Sequence, residues 1–258
     1  MAITILQWNA RSIFKKLPEF KQYLGGLTAL PKLICIHETH LMPKYHTVFQ
    51  NYTTLRIDRP LSRGKGGGLL IYIKTSLEFS EVNIAGPSTR MKVLGVTVRG
   101  YAIFKVYSPP SHHIQTDGFD FLSKFIKFVL CGPWCFGTNH NGRALLSIIE
   151  AHDLVVLNSS VLTHYSLSGR HEWSVIDLSI VSADIASRCV AAVVTEFIGS
   201  DHSIVQIAIR GADPRGEIEF TSSTFGAIVH SVRCKCILCR VQVSTMSGAS
   251  SVAIQWRF

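Results

Sequence analysis

Short apolar runs, each followed by a polar segment, recur along the first 210 residues of the chain. Runs of this length are typical of buried strands, and they cover residues 3–8, 33–36, 69–73, 93–98, 101–107, 126–131, 154–157, 173–181 and 204–209. Leucines at helical spacing between Leu17 and Leu30 predict a helix that Gly25-Gly26 weakens, and further helices are predicted over 119–125 and 143–152. Alternating strands and helices predict a layered α/β fold.

Polar residues stand at the ends of several of these runs. Asn9 follows the first run, Glu38 the second, and Tyr107 closes a predicted hairpin. Asp177 lies inside an apolar run and needs a partner, because an unpaired buried carboxylate is costly. The segment Gly199-Ser200-Asp201-His202-Ser203 leads into the last run. One pair of sheets could therefore bring all of these side chains to a common edge. Other histidines are interpreted as loop or surface residues without a role: His37, His40, His112, His113 and His171.

A basic, glycine-rich segment, Arg63-Gly64-Lys65-Gly66-Gly67-Gly68, precedes the third predicted strand. A phosphate-binding loop is one interpretation, but no Gly-Lys-Ser/Thr follows and the next element is a strand. A tight turn into that strand is favoured. The surrounding basic side chains form either a solvated basic face or a DNA contact, and both interpretations stay open: Arg56, Arg59, Arg63 and Lys65.

The charge balance indicates a polyanionic partner. Lys and Arg number 26 against 17 Asp and Glu, which gives a formal net charge of +9. Nucleic acid is favoured over a membrane surface, because no basic amphipathic helix stands out. No apolar stretch has membrane-spanning length, and the N-terminus lacks the basic start of a signal peptide. We therefore expect a nuclear or cytoplasmic protein with no membrane partner. Of its seven cysteines, Cys35, Cys131 and Cys189 lie in or beside apolar runs, which favours buried reduced thiols over a disulfide framework.

The composition changes at residue 211, and we divide the chain into a domain over 1–210 and an irregular tail over 211–258. Ser, Thr, Gly and Cys dominate the tail, without a steady period of strand or helix. Cys234, Cys236 and Cys239, with His230 nearby, offer four potential zinc ligands. Their spacing is irregular, so a poorly structured tail with free thiols is favoured over a zinc site.

Six segments, taken together and in order, resemble the endonuclease/exonuclease/phosphatase superfamily, and most closely the endonuclease domain of non-LTR (LINE-type, jockey-like) retrotransposons. The segments are 6–12, 38–41, 56–59 with 66–68, 106–110, 174–178 and 200–203. The resemblance covers residues 1–210 and implies a four-layered α/β sandwich, in which helices flank two packed mixed β-sheets.

The resemblance also implies hydrolysis of DNA phosphodiesters with a divalent cation, Mg²⁺ or Mn²⁺. Glu38 and Asp201 correspond to metal-site residues, and Asn9 orients the metal shell and the phosphate. His202 contacts the scissile phosphate, Asp177 accepts from its other ring nitrogen, and Tyr107 donates to phosphate or to a carboxylate. Candidate DNA contacts are Arg11, Arg56, Arg59, Arg63 and Lys65.

One family motif is missing. Gly-Asp-Phe-Asn, whose Asp activates the attacking water, is expected after the strand that ends at Gly132, but Pro133-Trp134 follows directly. Asn139 and Asn141 lie too far downstream to replace it. We expect a surviving fold with impaired or absent nicking. The alternatives are a non-catalytic nucleic-acid-binding remnant of a decayed element and, less favoured, a superfamily phosphatase. Mobility would require a reverse transcriptase from an intact element.

Overall fold

A computed structural model describes residues 2–58, 67–84, 91–109, 112–134, 139–158, 161–166, 173–194 and 198–211 of the chain. The strands are β1 (Ile3–Asn9), β2 (Leu33–His37), β3 (Tyr52–Ile57), β4 (Leu69–Lys74), β5 (Phe79–Val82), β6 (Lys92–Val98), β7 (Tyr101–Tyr107), β8 (Phe128–Pro133), β9 (Leu154–Val156), β10 (His164–Tyr165), β11 (Trp173–Ser174), β12 (Asp177–Ser182), β13 (Cys189–Val194) and β14 (Ile204–Ile209). The helices are α1 (Ile13–Gly25), a 3-10 helix (Thr116–Lys124), α2 (His140–Ala151) and α3 (Ala183–Ala186).

Two six-stranded mixed sheets form the centre of the fold. The first has the strand order β13-β14-β1-β2-β4-β3, and the second β5-β6-β7-β8-β12-β9. Only the β1–β2 and β7–β8 pairs are parallel among the described strands. In the first sheet, Asn9 pairs with His37 where β1 and β2 both end. In the second, Pro133 at the end of β8 pairs with Asp177 at the start of β12. The candidate residues thus lie at the ends of central strands.

Three apolar clusters separate four layers. The cluster between the sheets includes Ile5, Ile71 and Val129. On the outer face of the first sheet, Phe20 of α1 stacks on Trp8 with ring centroids 4.9 Å apart. On the outer face of the second sheet, side chains of the 3-10 helix and α2 pack against Phe104 and its neighbours. This arrangement confirms the predicted four-layered α/β sandwich.

Several elements differ from those predicted. Helix α1 ends at Gly25, so Leu30 lies beyond it, because the leucine spacing continues past the glycine pair that ends the helix. The run over 173–181 forms two strands, and Asp177 begins the second strand instead of lying in the middle of one. His37 is fully buried in β2, so its interpretation as a loop or surface residue was wrong. Strands β3, β5, β10 and β13 were not predicted.

Residues 212–258 lie outside the described part of the chain. The division into a domain and a tail, and the absence of a zinc site at Cys234, Cys236 and Cys239, therefore stay predictions. None of the helices in the described ranges has the length and apolarity needed to cross a membrane.

Candidate active site

The loops that follow β1 and β2 run side by side at the end of the first sheet where these two central strands stop. This end, together with the neighbouring end of the second sheet at Asp177, is called the edge below. The backbone N–H of Ala10 donates to the carbonyl of His37 (3.0 Å), and that of Ser12 donates to the carbonyl of Glu38 (2.8 Å). Four non-glycine residues here have positive φ: Arg11 (41°), Ser12 (89°), Glu38 (48°) and His40 (53°). Such conformations are unfavourable for L-residues and cluster at functional sites, so these two loops are candidates for a functional site.

Asn9 and Glu38 form a polar pair across these loops. The Asn9 amide donates to Glu38 Oε1 (3.3 Å), and Asn9 Oδ1 accepts the backbone N–H of Arg11 (3.3 Å). Burial raises the pKa of Glu38, but His40, the Asn9 amide and the charge of His202 outweigh it and hold that pKa below its usual value. Glu38 is therefore an ionised carboxylate at neutral pH.

His202 and Asp177 form a buried hydrogen-bonded pair. His202 Nδ1 lies 2.7 Å from Asp177 Oδ2. The hydroxyl of Thr163 accepts the backbone N–H of Asp177 (2.9 Å), and the Asn158 amide donates to its carbonyl (2.8 Å). Burial lowers the pKa of His202, but the charge and hydrogen bond of Asp177, with Asp201 and Glu38, raise it above its usual value. The pair thus favours an imidazolium whose Nδ1 donates to Asp177.

The turn that carries His202 is fastened to the end of β1. Ser200 Oγ donates to the carbonyl of Asn9 (2.7 Å) and accepts the backbone N–H of His202 (3.3 Å). The indole N–H of Trp8 donates to the carbonyl of His202 (3.2 Å). Because all of these groups are buried, the imidazole and Asn9 are held in a fixed relation at one edge.

Asp201 lies between positive groups. Its Oδ2 pairs with the guanidinium of Arg11, and its Oδ1 lies 3.8 Å from His202 Nε2. Its side chain is only 5% exposed, and Oδ1 has no hydrogen-bond partner among the described residues. Lys16 reaches the same loop, where its ammonium donates to the carbonyls of Ala10 and Arg11. Asp201 therefore offers one oxygen that is buried and unused.

Tyr107 and two glycines complete the arrangement around Glu38. Tyr107 ends β7, and burial together with the charge of Glu38 raises its pKa to about 12, so its hydroxyl remains a donor. Gly68 has φ of +93°, and a Cβ there would lie 2.3 Å from the hydroxyl oxygen of Thr39. Gly67 also has a positive φ. The carbonyls of Gly67 and Gly68 accept the backbone N–H groups of His40 (3.1 Å) and Thr39 (3.3 Å), respectively. Residues 63–66 lie outside the described ranges, so the tight turn predicted for this segment stays a prediction.

Comparisons with known proteins agree with this fold. The family model described as "Endonuclease-reverse transcriptase" matches residues 133–206. A probable RNA-directed DNA polymerase from transposon X-element of Drosophila melanogaster is 26% identical over 215 residues, which cover 78% of this chain and 23% of that protein. The endonuclease domain of TRAS1, a telomere-specific non-LTR retrotransposon, superposes with a TM-score of 0.62 at 16% identity, covering 81% of this chain and 99% of that one.

These likenesses support the predicted resemblance to the endonuclease/exonuclease/phosphatase superfamily. An AP endonuclease from Leishmania major has the same fold, with a TM-score of 0.65 at 15% identity over 81% of this chain and 88% of that one. The predicted resemblance to a retrotransposon-type endonuclease domain is thus confirmed. The chain spans about a quarter of the length of the transposon relative, so the activities of that whole protein are not assigned to this domain.

The end of strand β8, after Gly132, is closely packed. Strand β8 continues through Pro133, which pairs with Asp177, and the next residue, Trp134, is buried. A Cβ on Gly132 would lie 2.6 Å from the Trp134 ring and 2.8 Å from the carbonyl of Val106. Among the described residues, the carboxylates of Asp177, Asp201 and Glu38 raise the pKa of His202. Pro133 and the buried Trp134 therefore stand at the position where the resemblance led us to expect an acid.

The downstream asparagines have structural roles. Asn139 caps α2, because its side chain accepts the backbone N–H of Gly142 (2.8 Å). Asn141 accepts from the backbone N–H of Ile114 (2.9 Å) and donates to the carbonyl of His112 (3.1 Å). Both side chains are thus engaged at the start of α2.

The predicted DNA contacts separate into three groups. Arg11 lies at the site, on Asp201. Arg56 instead donates to the carbonyls of Tyr45 (2.6 Å) and Pro43 (3.3 Å), which fastens a neighbouring loop. Arg59, Arg63 and Lys65 lie outside the described residues. A DNA contact by any of them stays a prediction.

Sequence reasoning missed Thr163, His164 and Lys16. His164 belongs to the two-residue strand β10, and its ring centroid is 4.5 Å from that of His202. Its Nε2 is 3.6 Å from Asp201 Oδ2. A strand of two residues has no periodicity to detect. The sequence shows there only two polar residues, Thr163-His164, after the apolar pair Val161-Leu162, and such a pattern is common in loops.

Proposed function

We propose that this domain is a retrotransposon-type endonuclease that acts on DNA phosphodiesters with a divalent cation, Mg²⁺ or Mn²⁺, and that its turnover is impaired. The observation that supports this most is the buried 2.7 Å hydrogen bond between Asp177 and His202, beside the ionised Glu38. A carboxylate, an amide and an imidazolium gathered at one edge provide the positioning and charge that phosphoryl transfer needs.

The donor set fits a hard cation. Glu38 is ionised, and Asp201 has a buried oxygen without a hydrogen-bond partner among the described residues. Mg²⁺ is bound through one or two carboxylates and keeps several waters, so Glu38 and Asp201 suffice as ligands, with Asn9 orienting Glu38. When bound, the cation supplies charge that stabilises the phosphate oxygens.

The protein's own residues then divide the remaining work. His202 donates from Nε2 to the scissile phosphate, while Asp177 holds the proton on Nδ1 and so fixes the ring. Tyr107 stays protonated and donates a hydrogen bond. The water-activating acid is the missing part, and its loss removes a contribution of about 10²–10⁴ in rate.

A non-catalytic nucleic-acid-binding remnant is the second candidate. The strand end Gly132-Pro133-Trp134 favours it, because a proline opposite Asp177 supplies neither a carboxylate nor an N–H. The net charge of +9 would suffice for salt-dependent binding without cleavage.

A plasmid-nicking assay with Mg²⁺ tests the proposal. We expect insertion of Asp-Phe-Asn between Gly132 and Pro133 to accelerate nicking at least about 100-fold over the parent chain. An Ala-Phe-Ala insertion is the matched control for loop length, and Glu38→Ala or His202→Ala should abolish the restored activity. A parent chain that nicks as fast as the insertion variant would refute the impairment. Salt-dependent DNA binding with no nicking by any variant would favour the remnant.

A further inference from the structure

Three side chains present metal-ligating atoms to one point beside the candidate active site. His164, Asp201 and His202 each offer one such atom, and these atoms all lie within 4.8 Å of one another. His164 Nε2 is 3.6 Å from Asp201 Oδ2, and His202 Nε2 is 3.8 Å from Asp201 Oδ1. Ligands with bonds of about 2.1 Å in a tetrahedral site are about 3.4 Å apart, so small side-chain rotations would close this set around an ion.

Both imidazoles are already oriented by a partner on the other ring nitrogen. His164 Nδ1 lies 3.0 Å from the hydroxyl of Ser174, and His202 Nδ1 lies 2.7 Å from the carboxylate of Asp177. Metal-ligating histidines almost always have such an outer hydrogen bond, which leaves the opposite nitrogen to bind the ion. Here both opposite nitrogens are Nε2 atoms near Asp201.

The backbone beneath these side chains is fixed. His164 and His202 form a β-bridge. The backbone N–H of Tyr165 donates to the carbonyl of Asp201 (2.8 Å), and that of Ser203 donates to the carbonyl of Thr163 (2.7 Å). The three ligating residues therefore come from two segments that cannot separate without breaking backbone hydrogen bonds, which is the preorganisation that a metal site requires.

The buried Asp201 Oδ1, which has no hydrogen-bond partner among the described residues, is an independent indication of a ligand. An orphaned buried carboxylate oxygen is costly and calls for an ion or a donor. Two imidazoles and one carboxylate suit Zn²⁺ and similar transition metals, whereas Mg²⁺ prefers oxygen ligands.

We propose that His164, Asp201 and His202 form a site for a borderline transition-metal ion such as Zn²⁺, and that an ion bound there withdraws His202 from the phosphate. The site shares Asp201 with the oxygen ligands of the proposed Mg²⁺ site. Arg11 opposes it, because its guanidinium occupies Asp201 Oδ2. The binding does not depend on the proposed function, while the inhibition rests on it.

Calorimetric titration of the full chain with ZnCl₂ tests the binding. Cys234, Cys236 and Cys239 should be replaced by Ser in every variant, so that tail thiols do not compete. We expect His164→Ala to weaken the Kd at least about 100-fold and Ser174→Ala to weaken it about 10–100-fold, the range typical of outer hydrogen-bond partners. Arg11→Ala should tighten it, because a competing cation is removed. The opposite signs of the Arg11 and His164 effects distinguish this site from general surface binding.

His113→Ala is the matched control, since His113 and His140 form a second adjacent imidazole pair, with centroids 4.2 Å apart. It should leave the Kd unchanged. Equal Zn²⁺ affinity in the parent, His164→Ala and Ser174→Ala would overturn the proposal, and so would a loss of binding in His113→Ala alone. The Ser174 variant keeps the test decisive if His164→Ala does not fold.

The inhibition is tested on the nuclease-restored insertion variant in excess Mg²⁺. Zn²⁺ should slow its nicking, and His164→Ala should remove that sensitivity. Persistent Zn²⁺ inhibition in His164→Ala would overturn the inhibitory role. If no variant nicks DNA, the proposed function fails, but the calorimetric result still decides whether the metal site exists.

Discussion

Two clusters of buried titratable side chains differ in how their charges are compensated. At the sheet edge, Asp177 and His202 share a 2.7 Å hydrogen bond. Deeper in the second sheet, Lys105 of β7 pairs in register with Cys131 of β8 and is fully buried. Its ammonium nitrogen has no hydrogen-bond partner among the described residues. One cluster therefore holds a complementary pair, and the other a cation without an acceptor.

The two clusters respond to burial in opposite directions. Burial lowers the pKa of Lys105 to about 7, although Cys35, Cys131 and Asp177 act to raise it. Burial also lowers the pKa of His202, yet the charge and hydrogen bond of Asp177 reverse the result. A direct hydrogen bond to a carboxylate thus decides which buried base keeps its proton, and depth alone does not. The carboxylates at the edge favour the charged form of His202, whereas burial in the interior favours the neutral form of Lys105.

Breaking the edge pair should give the largest effect. His202→Ala leaves the buried carboxylate of Asp177 uncompensated, and we expect a loss of about 3–5 kcal/mol in the free energy of unfolding, measured by urea denaturation. The exposed His113→Ala is the control and should cost little. The double variant His202→Ala with Asp177→Ala should recover part of the loss. Additive losses in the double variant would show that the two side chains are not coupled.

The interior cation should give the next largest effect, with a defined dependence on pH. The pKa of Lys105 is lowered from 10.5 to about 7, so between these values the unfolded state binds more protons and stability rises with pH. Lys105→Met removes this pH-dependent destabilisation. At 1.36 kcal/mol per pKa unit, the stability advantage of the Lys105→Met variant over the parent chain should shrink by about 4 kcal/mol from pH 7 to pH 10. Lys127→Met, at an exposed position, should show no such trend; a parallel pH profile for both variants would contradict the assignment.

The edge cluster was partly predictable, because its residues break local rules. Because Asp177 lies among apolar residues, its carboxylate was predicted to have a partner, and it is hydrogen-bonded to His202. Asn9 and Glu38 follow strand-length apolar runs, which is where side chains reach a sheet edge. The roles of these residues in catalysis stay predictions. His164 was not predictable, because its contact with Asp201 depends on the path of residues between β9 and β12.

The interior cluster gave no usable signal. Lys105 lies within the run Tyr101–Tyr107, and both faces of that strand are covered by other layers. A lysine in such a run is ordinarily placed at the surface, because charged residues are rarely buried without partners. His37 was misassigned for the same reason, although its ring nitrogen Nε2 lies 3.1 Å from the carbonyl of Cys131. Which face of a strand meets another layer is a tertiary property.

The strand end between the two clusters should tolerate little added volume. A Cβ at Gly132 would lie 2.6 Å from the Trp134 ring and 2.8 Å from the backbone oxygen of Val106, and the latter cannot rotate away. We expect Gly132→Ala to cost about 1–3 kcal/mol in thermal or urea unfolding. Gly25→Ala is the control, since a Cβ there meets nothing within 4 Å. A neutral Gly132→Ala would mean that β8 and Trp134 can shift together.

The smallest effect is expected in the interior, where Cys131 and Cys35 are buried in the same apolar cluster. A thiol is a small apolar group with a weak hydrogen bond, so Cys131→Ala should cost only about 1 kcal/mol in urea unfolding. A loss as large as that of His202→Ala would erase the contrast between the clusters. It would mean that the interior also depends on a specific polar pair.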